Sequence, residues 1–128
     1  MTMQYSTTMR NNKLDQVEST VGVSAVLKIF SGAQPANCAA SDPSGLLVTM
    51  TLPSDWMNAA SGGTKTKLGT WSATASGSGT AACWRIYDST ATTCGVQGNT
   101  TDMVFDNTSI ASGQTVTVTT FTLTAGNP

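Results

Sequence analysis

Between Thr8 and Val21, the apolar residues Leu14, Val17 and Val21 recur at i, i+3 and i+7, a narrow stripe among polar neighbours. The spacing predicts a helix over Thr8–Val21. Ser6, Thr7 or Thr8 can serve as its N-cap acceptor, and Gly22 suits the left-handed position after its last turn. Beyond Gly22 the period changes to two. Ala25–Phe30 reads as a first strand, and Ser31–Gly45 as a loop marked by Gly32, Pro35 and Asp42-Pro43. In Leu46–Leu52 the residues Leu46, Val48, Met50 and Leu52 face one side, and Thr49 and Thr51 the other. Pro53 ends this strand, and Ser54–Met57 is expected to start a short helical turn.

Lys65–Ala75 reads as a strand around Trp71, and Gly77-Ser78-Gly79 as a tight reversal into Thr80–Tyr87. There Ala82, Trp84 and Ile86 alternate with Cys83, Arg85 and Tyr87, which sends Arg85 outward, free to pair with a carboxylate or to serve an interface. Short strands follow at Thr93–Gln97 and Asp102–Asp106. In the longest, Thr115–Thr124, Val116 and Val118 share one parity while Phe121 and Leu123 share the other. An inserted residue restores a common inward face, so a β-bulge is predicted near Thr119-Thr120.

Seven short strands with frequent turns predict a mainly β fold, an antiparallel β-sandwich of jelly-roll-like or immunoglobulin-like form with one N-terminal helix. The chain divides into residues 1–22, a helix or docking arm, and 23–128, the sandwich domain. The expected core is Leu27, Ile29, Leu46, Val48, Met50, Leu52, Trp71, Trp84, Ile86, Val116, Phe121 and Leu123. The 128 residues suit one domain.

Composition narrows the chemistry. Only 10% of residues are charged, with net charge −1, and Ser and Thr together supply about 29%. Six scattered Lys/Arg form no basic stripe, which argues against nucleic acid. No stretch approaches the ~18 apolar residues of a membrane span, and the N-terminus has no signal-peptide core, so synthesis in a host cytoplasm is expected. Histidine is absent, which removes the usual general base, the usual metal ligand and Ser–His or Cys–His nucleophiles. Asp102 and Asp106 lie roughly 13 Å apart along a strand, too far for a glycosidase pair, and read as strand-end turn residues. Asp88, Asp102 and Asp106 lack a calcium-loop pattern, and Gly62-Gly63-Thr64-Lys65 lacks the spacing of a phosphate loop. No catalytic, cofactor or metal residue is assigned. Cys38, Cys83 and Cys94 read as buried free thiols, with a Cys83–Cys94 disulfide across adjacent strands as the alternative. Trp56, Trp71 and Trp84 fit core packing better than a carbohydrate-stacking platform.

The phrases YSTTMRNNKLDQVESTVG, LKIFSGAQPANCAA, TLPSDWMNAASGGTKTKLGTW, GTAACWRIYDS and DNTSIASGQTVTVTTFTLTAGN span almost the whole chain. Together they resemble a recurrent family of small virion proteins of tailed bacteriophages. That resemblance implies a non-enzymatic particle component and brings no catalytic motif. The expected function is a capsid decoration or cement protein that stabilises contacts between major capsid subunits, as a small homo-oligomer located in the virion. A tail, neck or fibre-associated protein is the alternative, and a carbohydrate-binding module a remote one.

The N-terminal segment holds four of the thirteen charges, Arg10, Lys13, Asp15 and Glu18, and its apolar stripe is thin. Tyr5, Met9, Arg10, Leu14 and Val17 are therefore the candidate contacts to major capsid protein or other virion proteins. The competing reading has the helix cap one open end of the sandwich.

Overall fold

The structure, a computed structural model, describes residues 3–125; Met1, Thr2 and Gly126–Pro128, the outer ends of the two expected segments, lie outside the described residues. Among the described residues the fold is mainly β with one helix. Helix α1 (Thr7–Val21) is capped by Ser6, whose hydroxyl accepts the Met9 N–H, and closed by Gly22 at φ +94°. Ten strands follow: β1 (Val26–Phe30), β2 (Leu46–Thr51), β3 (Thr64–Thr66), β4 (Trp71–Thr74), β5 (Gly79–Thr80), β6 (Cys83–Tyr87), β7 (Cys94–Asn99), β8 (Met103–Phe105), β9 (Ser109–Ile110) and β10 (Thr115–Thr124).

The first sheet has the order β2-β1-β6-β7, with all neighbours antiparallel. The second is built on β10, which pairs with β3, β4 and β8, and β5 and β9 form a small separate ribbon. The inner faces of the two sheets enclose one core. Leu27, Ile29, Val48, Met50, Trp84 and Ile86 come from the first sheet, and Trp71, Met103, Phe105, Val116, Val118 and Phe121 from the second.

The bulge in β10 is present. Val118 pairs with Phe105 but Thr120 with Val104, so Thr119 is the extra residue, and Val116, Val118 and Phe121 are all buried. A second irregularity corrects the expected core. Ile29 pairs with Val48 and Phe30 with Leu46, which leaves Leu47 as the inserted residue. Leu47 turns inward at 1% exposure, while Leu46 is 42% exposed. Leu123 is half-buried at the edge of the core.

Lys65–Ala75 is two strands rather than one. β3 and β4 pair successive stretches of β10 with a one-residue offset, and Lys67–Thr70 takes it up between them. The Thr80–Tyr87 strand is likewise divided, because the chain changes partners. Ala81 N–H donates to the Thr108 carbonyl, and Ala82 N–H donates to the Phe30 carbonyl. Ser54–Met57 forms no helical turn; the chain bends at Ser54-Asp55, and Trp56 and Met57 are drawn into the core.

Candidate interaction surfaces

The helix is fastened to the sandwich by polar contacts that its thin apolar stripe does not reveal. Lys65 in β3 is 2% exposed and reaches Asp15 Oδ1 at 2.8 Å and Glu18 Oε1 at 2.9 Å. The same two carboxylates accept backbone N–H groups of Ala60 and Met57. The hydrogen bond from Lys65, then that from Ala60, holds the Asp15 carboxyl below its ordinary value. For Lys65, burial opposes the charged form, but the bonds to Asp15 and Glu18 outweigh it and its pKa is raised. Trp56 Nε1–H donates to the Gly22 carbonyl at 2.9 Å and fixes the helix C-terminus. Gly63, at φ +78°, donates its N–H to Asn11 Oδ1 at 2.8 Å, and a Cβ there would strike the Arg10 guanidinium.

These contacts disperse the five expected partner residues. Leu14 is buried in the domain at 5% exposure, and Arg10 Nε donates to the Ala125 carbonyl at 2.9 Å. Both serve the fold, so Leu14 is not offered to a partner. Val17 lines a shallow groove of about 250 Å³ with Lys13, Gln16, Thr20, Val21 and Gly95. Tyr5 is half-buried, with the Lys13 ammonium 4.3 Å above its ring, and Met9 is exposed.

Arg85 points outward and pairs with a carboxylate, as its alternation with Trp84 and Ile86 led one to expect. It points away from the core, yet the Ser31–Gly45 loop covers it to 2% exposure. Its guanidinium donates to Asp42 Oδ1 at 3.0 Å, the Asn37 carbonyl at 2.9 Å and Gln97 Oε1 at 3.1 Å. Tyr87 also donates to Asp42. Burial first, and then this bond to a carboxylate, pushes the Tyr87 phenol up to about 12.

The three tryptophans lie inside the fold. Trp56 and Trp71 sit 6.0 Å apart, Trp71 and Phe121 5.6 Å, and Trp84 and Phe121 5.2 Å edge to face. Each indole N–H donates to a backbone carbonyl. They present no stacking platform. Asp102 accepts the Asn99 N–H and Asp106 the Thr117 N–H, as turn and strand-end residues. Among the described residues no group of three or more His, Cys, Asp or Glu converges on a metal position, and no helix is long and apolar enough to cross a membrane.

The outer face of the second sheet is a uniform surface of short polar side chains. Thr115 pairs with Thr74, Thr117 with Ser72, Thr122 with Thr66 and Thr124 with Thr64. Thr120 pairs with the exposed Val104 at the margin. None of these side chains is charged, because Lys65, the one cation in these strands, turns inward to the helix. The Thr-Val alternation of β10 carries the signal for this face in the sequence, but the register that aligns four pairs of hydroxyls does not. Compared with known proteins, the chain matches no family profile, no curated protein and no solved structure.

Proposed function

We propose that this chain is a non-enzymatic structural protein of a bacteriophage particle, a capsid decoration protein seated over junctions between major capsid subunits. The observation that carries this reading is the uncharged Thr/Ser face of the second sheet. Short side chains lose little rotamer freedom when a partner covers them, so a broad contact forms without ordering long chains. A net charge of −1 allows many copies to sit close together with weak mutual repulsion. The resemblance of its phrases to those of tailed-phage virion proteins is consistent with this reading.

Under this reading the sandwich is a rigid block that presents its hydroxyl face to the major capsid protein. The helix is then a strut that stiffens the block, with Met9 and Tyr5 left at its outer end as secondary contacts. Densitometry of purified particles is the test. A decoration protein is present in hundreds of copies, in fixed ratio to the major capsid protein, as repeated symmetric contacts require. A few tens of copies or fewer places the chain in the tail, neck or fibres instead.

A further inference from the structure

The Ser31–Gly45 loop lies across the outer face of the first sheet and is pinned on both sides of Cys38. Before it, the Pro35 carbonyl accepts from Gln97 Nε2 at 2.8 Å and the Asn37 carbonyl from Arg85 Nη2 at 2.9 Å. After it, the Asp42 carboxylate takes Arg85 Nη1 and the Tyr87 hydroxyl. On the sheet, Tyr87 pairs across the β6–β7 ladder with Cys94. Residues paired across strands share a face, so Cys94 stands on the face that the loop covers. The pins thereby hold Cys38 on the face that carries Cys94, near enough for the two thiols to interact, while the Cys94 thiol donates to the Val96 carbonyl. Both are half-buried and free. Cys83 is the wrong partner: it pairs with Asn99 at the far end of the ladder, is buried, and donates to the Gly32 carbonyl.

We propose that Cys38 and Cys94 are a redox modification site, closing to a disulfide that staples the loop to the sheet when the protein meets an oxidising disulfide such as glutathione disulfide. The Cys38 thiolate attacks one sulfur of glutathione disulfide, forming a mixed disulfide and expelling one glutathione thiolate. The Cys94 thiolate then attacks the Cys38 sulfur and expels the second. Two protein thiols are oxidised, one glutathione disulfide is reduced to two glutathiones, and the two thiol protons leave with them. Burial first, and then the interaction with Cys38, pushes the Cys94 thiol up to about 12. Resolution by Cys94 is therefore the slow step, and closure accelerates as pH rises.

The test uses the full chain, folded and reduced, incubated with excess glutathione disulfide at pH 8. Remaining thiols are then alkylated, and the protein is digested with trypsin without reductant. Cleavage after Lys28, Lys65, Lys67 and Arg85 places the three cysteines on three peptides. The expected result is loss of the mass of two hydrogens, a Cys38 peptide linked to the Cys94 peptide, and alkylated Cys83. The oxidised chain should melt several degrees above the reduced one. Cys83→Ser should leave the cross-link intact, whereas Cys94→Ser should stop at a glutathione adduct on Cys38. Three alkylated cysteines after incubation, a link that includes Cys83, or a glutathione adduct persisting in the unsubstituted chain overturns the proposal.

Discussion

Lys65 Nζ lies 2.8 Å from Asp15 Oδ1, so a lysine buried in a strand of the second sheet is neutralised by the N-terminal helix. Glu18 completes the arrangement at 2.9 Å. The two sides differ in solvent access: the Lys65 side chain is 1% exposed, Asp15 45% and Glu18 21%. Removing the carboxylates strands a buried charge, whereas removing the lysine leaves two anions that water can reach.

Asp15→Ala combined with Glu18→Ala should therefore destabilise the fold by about 3–5 kcal/mol. Lys65→Met should cost only about 1 kcal/mol, because hydrophobic burial offsets the lost pairing and the carboxylates hydrate. Urea denaturation of the two variants measures the difference, and equal losses would contradict the assigned asymmetry.

The same contact sets an acid limit. Asp15 is held below its ordinary 3.8 in the folded protein, so its stabilising contribution is full above that value and is lost as pH falls through the lower, folded value. Asp88, lowered first by the Thr92 N–H, acts in the same direction. Stability should fall below about pH 4. Trp56 fluorescence should report it, since the indole is bonded to the helix end, and Asp15→Asn should flatten the profile.

At the alkaline end, Tyr87 is pushed up from 10.0 to about 12. Its neutral phenol donates to Asp42, a contribution present below pH 10 and lost as pH rises toward 12. Ultraviolet titration of phenolate should show Tyr87 ionising above the ordinary tyrosine range, and Asp42→Ala should bring it back down.

The β2 irregularity makes adjacent leucines unequal. Leu47→Ala should cost about 2–5 kcal/mol, as for a filled core site. Leu46→Ala should stay within about 0.5 kcal/mol, as for a surface position away from special contacts. Thermal melts of the pair decide whether the inserted residue is Leu47.

These positions also mark how far the sequence could be read. The helix, a cap among Ser6, Thr7 and Thr8, the β-sandwich and a bulge near Thr119-Thr120 were legible, because each leaves a local trace in spacing or parity, while the choice of Ser6 came only with the structure. Leu46-Leu47 was not, since two adjacent leucines satisfy either register and only the pairing with Phe30 chooses between them. For Arg85 the outward face and the pairing with a carboxylate were legible, but its burial was not, because alternation gives the face of a strand and cannot reveal a distant loop folded over that face. The docking of the helix rests on Lys65, Asp15 and Glu18, charges that hydropathy assigns to solvent. The aligned hydroxyls of the second sheet arise from the one-residue offset between β3 and β4, which no single segment displays.

The central claim is that the uncharged Thr/Ser face seats this protein on a particle, and reconstitution tests it most directly. Particles stripped of the chain are incubated with the unsubstituted protein or with Thr66→Lys/Thr122→Lys, a cross-strand pair on that face, and bound copies are counted. The account predicts saturable binding of the unsubstituted protein in fixed ratio to the major capsid protein, and loss of most binding by the variant at an unchanged melting temperature. Equal occupancy by the two proteins, or no binding by the unsubstituted protein, would contradict it.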